Sequence, residues 1–244
     1  MPLALLPVVD LMLEYYELPG GFERFKEYIR LLTGGTGDDM KLPIGGFNPM
    51  GKAHVKEKLL ELKNLKAEAI MSGIISEFNS KDQLFGSETF HVSVSLADDL
   101  KGGWTNRYTT DYQAKFNSGS IIKRKFQPVG FWTSDSVSKE LIELRTKETL
   151  YRLQYQLKFP KPETLEDHVK QEAFVNTALG QESDTSITDY SEIKDFYTVH
   201  KTTIEYPVIF NFLYGDQAAE ELGYKPIGIK IPFAGFEFAG ALAK

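Results

Sequence analysis

Residues 90–103, FHVSVSLADDLKGG, decide the reading of the fold. Val92, Val94 and Leu96 alternate with His91, Ser93 and Ser95, which is the period-two pattern of a strand, and the run then breaks into an acidic, glycine-containing loop. From Lys41 onward the same unit recurs: a short apolar or β-branched run, a few small and polar residues, then an amphipathic helix. KLPI (41–44) leads through GGFNPMGK to a helix over 53–64, with Val55, Leu59 and Leu62 on one face, and a second helix over 67–78. KFQPVGFWTSD (125–135) leads to a helix over 137–157, and PVIFNFLYGD (207–216) to a helix over 217–222 that Gly223 closes, with a last strand over 226–231. This rhythm predicts an α/β fold, with a mixed or mostly parallel sheet and flanking helices.

Other elements attach to that frame. Trp104, Tyr108, Tyr112 and Phe116 are four apart, so 104–116 is read as a helix, although the same residues alternate as a strand would, and a strand there makes the fold α+β. Thr164 with Asp167 forms a capping box that opens a helix ending at Gly180. A polar loop, QESDTSITD, and a short helix over 190–198 follow. Ahead of the sheet, residues 5–32 carry helical spacing on both sides of Leu18-Pro19-Gly20-Gly21, which predicts a helical hairpin, and TGGTGDD (33–39) is a helix stop and loop. The expected division is an N-terminal helical extension over 1–40 and a single α/β domain over 41–244.

Composition narrows the function. The chain has 244 residues, 42% hydrophobic and 25% charged, which excludes disordered, collagen-like and coiled-coil classes. A net charge of −6 argues against nucleic acid, whose backbone demands clustered Lys and Arg. With no cysteine there is no disulfide, thiolate nucleophile or cysteine metal site, so any metal sits on His, Asp, Glu or water. The opening MPLALLPVVDLML has no basic residue before Arg24, and Pro7 and Asp10 interrupt it; neither a signal peptide nor a membrane span is read there, and a cytoplasmic protein without membrane partners is expected.

Ligands of α/β sheets collect where strands run into helices, because free backbone N–H groups converge there. The four such junctions are GGFNPMGKAH (45–54), DDLKGGWTNR (98–107), WTSD (132–135) and YGD (214–216). The second is the chemically densest, and the competing reading is that Asp98 caps a helix, Arg107 makes a surface ion pair and Trp104 belongs to the core. The functional reading assigns catalysis to His54 as general acid or anion stabiliser and to Asp98 or Asp99 as base or Mg²⁺ ligand. Asn48, Lys52, Lys101, Trp104, Asn106, Arg107, Asp135 and Asp216 are the candidate ligand-binding residues. The resulting expectation is an enzyme acting on a small anionic metabolite, phosphorylated or carboxylated. Its alternatives are a non-catalytic small-ligand-binding protein, or an assembly protein whose LALLPVVDLML segment packs on a partner or a second copy as a homo-oligomer.

Several motifs are partial. Gly46 to Ala53 fits G-x-x-x-x-G-K but lacks the Ser or Thr of a phosphate-binding loop. His168 and Glu172, four apart on a helix, lack a third metal ligand and are read as packing. No G-x-S-x-G turn supports a Ser–His–Asp triad. GGFNP followed by GKAH resembles the nucleotidylyltransferase signature, in which two histidines at a helix start stabilise the phosphate under attack; the resemblance puts that role on His54 and on the position of Gly51, which is not His. Over a larger span, NPMGKAHV, ADDLKGGWTNRY and YGDQAAEELGY resemble an uncharacterised bacterial protein family of unknown function, over roughly residues 40–230. That resemblance implies a bacterial, cytoplasmic protein and carries no activity or ligand.

Overall fold

A computed structural model describes residues 2–81, 88–100, 105–180 and 191–242. Contacts divide the chain into two compact units: Met1–Ala114 with Ser118–Leu150, and Lys115–Asn117 with Tyr151–Lys244.

The first unit holds β1 (Leu3–Leu5), α1 (Val9–Glu17), α2 (Phe22–Thr33), α3 (Ala53–Asn64), α4 (Ala67–Lys81), β2 (Phe90–Ala97), α5 (Arg107–Phe116, in large part), α6 (Gly119–Lys123), β3 (Phe126–Trp132) and the first turns of α7 (Lys139–Lys158). The sheet order is β1-β2-β3 and both pairings are parallel, so the fold is α/β, as the rhythm predicts. Parallel neighbours require crossovers, and helices supply both. Val92, Val94 and Leu96 are fully buried, and so is Ser93 on the opposite side, because helices cover both faces of a parallel sheet. Trp104 lies outside the described residues, and over Arg107–Phe116 the ambiguity resolves as helix. Asn106 starts it, with Oδ1 accepting from the Thr109 N–H at 3.0 Å.

Two features of this unit differ from the reading. Residues 41–44 form no strand; the Lys41 and Leu42 N–H groups both donate to Leu32 O at the end of α2. Conversely, β1 lies in a stretch that reads as helix. The edge strand is held by the side-chain amide of Asn79, which accepts from Leu3 N–H at 2.8 Å and donates to Leu3 O at 2.9 Å. At the start of α1, Glu68 Oε1 accepts from Val8 and Val9 N–H at 2.7 and 3.0 Å, a carboxylate placed against the positive end of a helix.

The second unit is helical: α8 (Leu165–Leu179), α9 (Ser191–His200), α10 (Tyr206–Tyr214), α11 (Asp216–Glu221) and α12 (Ala234–Leu242). The Thr164–Asp167 capping box and the left-handed Gly180 bound α8 where the sequence puts them. The strand expected over 207–216 is instead α10. An apolar run buried on every side carries no period, so Val, Ile and Phe mimic a strand, whereas Pro207 in the first turn and the i, i+4 stack of Phe210 on Tyr214 at 4.8 Å belong to a helix. The strand expected over 226–231 is absent as well. That segment is fastened by Asp216, whose carboxylate accepts from Ile227 and Gly228 N–H at 2.9 and 3.1 Å. No helix among the described residues is long and apolar enough to cross a membrane.

Candidate functional site

Three of the four predicted junctions meet in the first unit, at the carboxyl ends of β2 and β3. Asp98 directly follows β2 and is 2% exposed. Its carboxylate accepts from Asn48 Nδ2 at 3.0 Å and Thr133 Oγ1 at 3.0 Å, and His54 Nε2 lies 2.8 Å from Oδ1. Its carbonyl accepts from the N–H and hydroxyl of Thr105 at 3.1 and 3.0 Å, which ties Thr105 to the end of β2. Burial pushes the Asp98 carboxyl up, and the hydrogen bonds from His54, Asn48 and Thr133 outweigh it, so the group sits below the usual carboxylate range.

The neighbouring acids are matched differently. Asp99 accepts from Ser134 N–H at 3.0 Å and Ser134 Oγ at 2.6 Å, and Arg107 Nη1 lies 3.3 Å away. Asp135 is gripped by Arg107 and Arg145 and accepts from Trp132 N–H at 2.8 Å, closing the turn after β3. Burial pushes Asp135 up, and the Arg145 hydrogen bonds and charge, the Trp132 N–H and Arg107 hold it low. Two arginines therefore answer Asp99 and Asp135. Asp98 touches no Lys or Arg among the described residues, and His54 is the ionisable base it meets.

His54 lies in the first turn of α3, with its side chain 29% exposed. With Nε2–H donated to Asp98, the ring is held in one orientation and tautomer, and Nδ1 is the basic nitrogen; among the described residues it has no partner. The start of α3 is uncapped: exposed Lys52 occupies the N-cap position and makes no side-chain cap hydrogen bond, and no acid sits in the first turn. A helix start of this kind favours negative charge.

Asn48 reaches Asp98 because its loop is clamped from behind. The hydroxyls of Tyr16, Tyr15 and Tyr28 donate to the carbonyls of Asn48 at 2.6 Å, Pro49 at 2.7 Å and Ile44 at 3.0 Å. Burial drives the Tyr16 phenol far above its usual range and pushes Tyr28 up to about 12, so both remain donors. Gly51 is required by close approach, since a Cβ there would lie 2.9 Å from the Tyr16 ring. These tyrosines read only as the apolar face of a hairpin in the sequence, where nothing marks their hydroxyls as aimed at 44–51.

Of the candidate residues, His54, Asp98, Asp99, Asn48, Arg107 and Asp135 come together, with Lys52 at the same helix start. Asn106 caps α5, and Asp216 belongs to the second unit as a loop brace. Lys101 and Trp104 lie outside the described residues. Arg107 is occupied by two carboxylates and stacks 5.4 Å from the Trp132 ring, which makes it a brace between β2 and β3 ends as much as a ligand group. No group of three or more His, Asp or Glu is arranged to hold a metal among the described residues. In the second unit, His168 Nδ1–H donates to Thr164 O at 2.7 Å, and Glu172 is paired with Arg152. The nucleotidylyltransferase likeness loses its setting, because 45–52 follows a loop and not a strand, and the Tyr16 ring takes the space a side chain at Gly51 would need.

No protein-family model, curated protein or solved structure matches the chain.

Proposed function

We propose that the chain is an enzyme that moves a proton on a small anionic metabolite, with His54 as the acid–base group and Asp98 as the residue that orients it. The observation that carries this reading is the contact of the partly exposed His54 ring with a buried carboxylate that meets no Lys or Arg among the described residues. A pair of this kind fixes which nitrogen faces the substrate and stabilises the imidazolium that forms when it accepts a proton. The negative group of the metabolite, phosphate or carboxylate, would be held by Lys52 and by the Ala53 and His54 N–H groups of the uncapped α3. Asp99 and Asp135, with Arg107 and Arg145, keep the β2 and β3 ends in register around it. A cytoplasmic, bacterial setting belongs to the same proposal.

The test is a thermal-shift screen of the purified protein against sugar phosphates, nucleotides and small carboxylates. A ligand at a hundredfold excess over its dissociation constant stabilises the native state by about 2.7 kcal/mol, enough to be seen as a raised Tm. The proposal expects an anionic ligand whose shift is reduced in Lys52→Ala and whose turnover is lost in His54→Gln. A ligand that is bound but never turned over would point to the binding-protein alternative, and no anionic ligand at all would overturn the reading.

A further inference from the structure

The register of the parallel sheet places one hydroxyl between two carboxylates. Ala97 stands opposite Trp132, and the Thr133 N–H donates to Ala97 O at 3.0 Å, so Asp98 and Asp99 leave the sheet beside Thr133. Thr133 Oγ1 lies 3.0 Å from Asp98 Oδ1 and 3.1 Å from Asp99 Oδ1, and it accepts the Asp99 N–H at 3.2 Å. A threonine hydroxyl carries one hydrogen, so it serves one carboxylate fully or both weakly. Thr133, Asp98 and the Asp99 side chain are each under a tenth exposed, which leaves water little room to make up the difference.

The choice bears on His54, because His54 Nε2 and Thr133 Oγ1 meet the same oxygen of Asp98, Oδ1, at 2.8 and 3.0 Å. Two donors on one oxygen draw on the same charge, so a stronger bond from Thr133 means a weaker one from His54. The other side of the choice is set by Asp99, whose Oδ2 faces Arg107 Nη1 at 3.3 Å. Arg107 is free to be drawn away: its side chain is 32% exposed, and Asp135, its other carboxylate, is also held by Arg145. A carboxylate that loses a neighbouring cation holds a proton donor more tightly.

We infer that Thr133 is a positioning residue that couples Arg107 to His54. With Arg107 on Asp99, the hydroxyl serves Asp98; when an anionic group draws Arg107 away, the hydroxyl turns to Asp99 and leaves Asp98 Oδ1 to His54. This coupling rests on the proposed role of the His54–Asp98 pair and adds its control: an anionic group of the metabolite that reaches Arg107 leaves the His54 imidazolium better stabilised, so the acid–base group is strengthened when substrate is in place.

The experiment reads the His54 Nε2–H proton resonance of the full chain at low temperature and at a pH where the ring is neutral; this resonance moves downfield as the bond to Asp98 strengthens. It is recorded for the wild type, Arg107→Gln, Thr133→Val, Thr133→Ser and Arg107→Gln with Thr133→Val, with circular dichroism melts to check folding. The expected result is a downfield shift in Arg107→Gln and in Thr133→Val, the wild-type position in Thr133→Ser, and no further shift when Arg107→Gln is added to Thr133→Val, since the relay is gone. An upfield or lost resonance in Thr133→Val would make Thr133 a merely structural residue and overturn the inference. So would an Arg107→Gln shift that persists in full beside Thr133→Val, which would be a direct effect of charge. Should Thr133→Val fail to fold, an unmoved resonance in Arg107→Gln still overturns it. An Nδ1–H ring in the wild type is a different failure: it overturns the proposed role of the pair, and the coupling with it.

Discussion

His54 Nε2 lies 2.8 Å from Asp98 Oδ1 across 44 residues of sequence, joining the first turn of one helix to the end of the central strand. The contact sits where parallel sheets present their loop ends, and it ties together two stretches that the chain reaches by separate routes. Asp98 is the hub. Replacing it with Ala leaves the buried Asn48 amide and the partly exposed His54 ring without their acceptor, while Thr133 Oγ1 still reaches Asp99 Oδ1 at 3.1 Å, and the expected cost is about 2–4 kcal/mol, read as a lower urea midpoint with an unchanged m value. Asp98→Asn keeps the shape and should cost less.

The tyrosine clamp predicts a local effect. Tyr16→Phe removes the hydroxyl that donates to Asn48 O and leaves a buried carbonyl short of a donor, at an expected cost of about 1–2 kcal/mol. Hydrogen exchange should quicken first at Gly51, whose N–H donates to that same Asn48 carbonyl at 3.0 Å, before the β2 amides respond.

In the second unit, Arg152 and Glu172 form a bidentate pair at 2.8 and 2.7 Å with both side chains under a tenth exposed. Removing one partner strands the other charge, so Arg152→Met is expected to cost about 3–5 kcal/mol, whereas Arg152→Met with Glu172→Met should recover most of that loss. A double-mutant cycle measures it.

Stability should fall with acid in two windows. Burial lowers the His168 imidazole below its usual 6.5, so the unfolded chain binds the proton more readily, and stability is lost as pH falls from about 6.5 toward the depressed value. Asp98, Asp135 and Glu172 are also held low, so their contribution is full above about pH 4.5 and disappears as pH drops through their folded values. Denaturation at a series of pH values should show both, and His168→Gln should flatten only the upper one.

Much of this architecture is legible in the chain before any coordinates. The alternation over 90–97, the capping residues Thr164, Asp167 and Gly180, and the helical face of Val55, Leu59 and Leu62 are local signals that tertiary structure leaves in place. What escapes the sequence is set by burial and by distant partners. Residues 207–214 are apolar on all sides, so period says nothing, and β-branched propensity points the wrong way. Strand β1 is three residues long and exists because β2 and the Asn79 amide receive it. The clustering of His54 with Asp98 follows from placing functional residues at strand ends, but the roles within the cluster do not: Arg107 and Asp135 answer each other, and the tyrosines that aim Asn48 are silent in the sequence.

Asp98 fixes His54 with Nε2 protonated and Nδ1 free to act. Two-bond ¹⁵N–¹H correlation of the imidazole, at a pH where the ring is neutral, reports the tautomer directly. The Nε2–H form is expected in the wild type, with loss of that preference in Asp98→Asn. An Nδ1–H ring, or an averaged one that does not respond to Asp98→Asn, would contradict it.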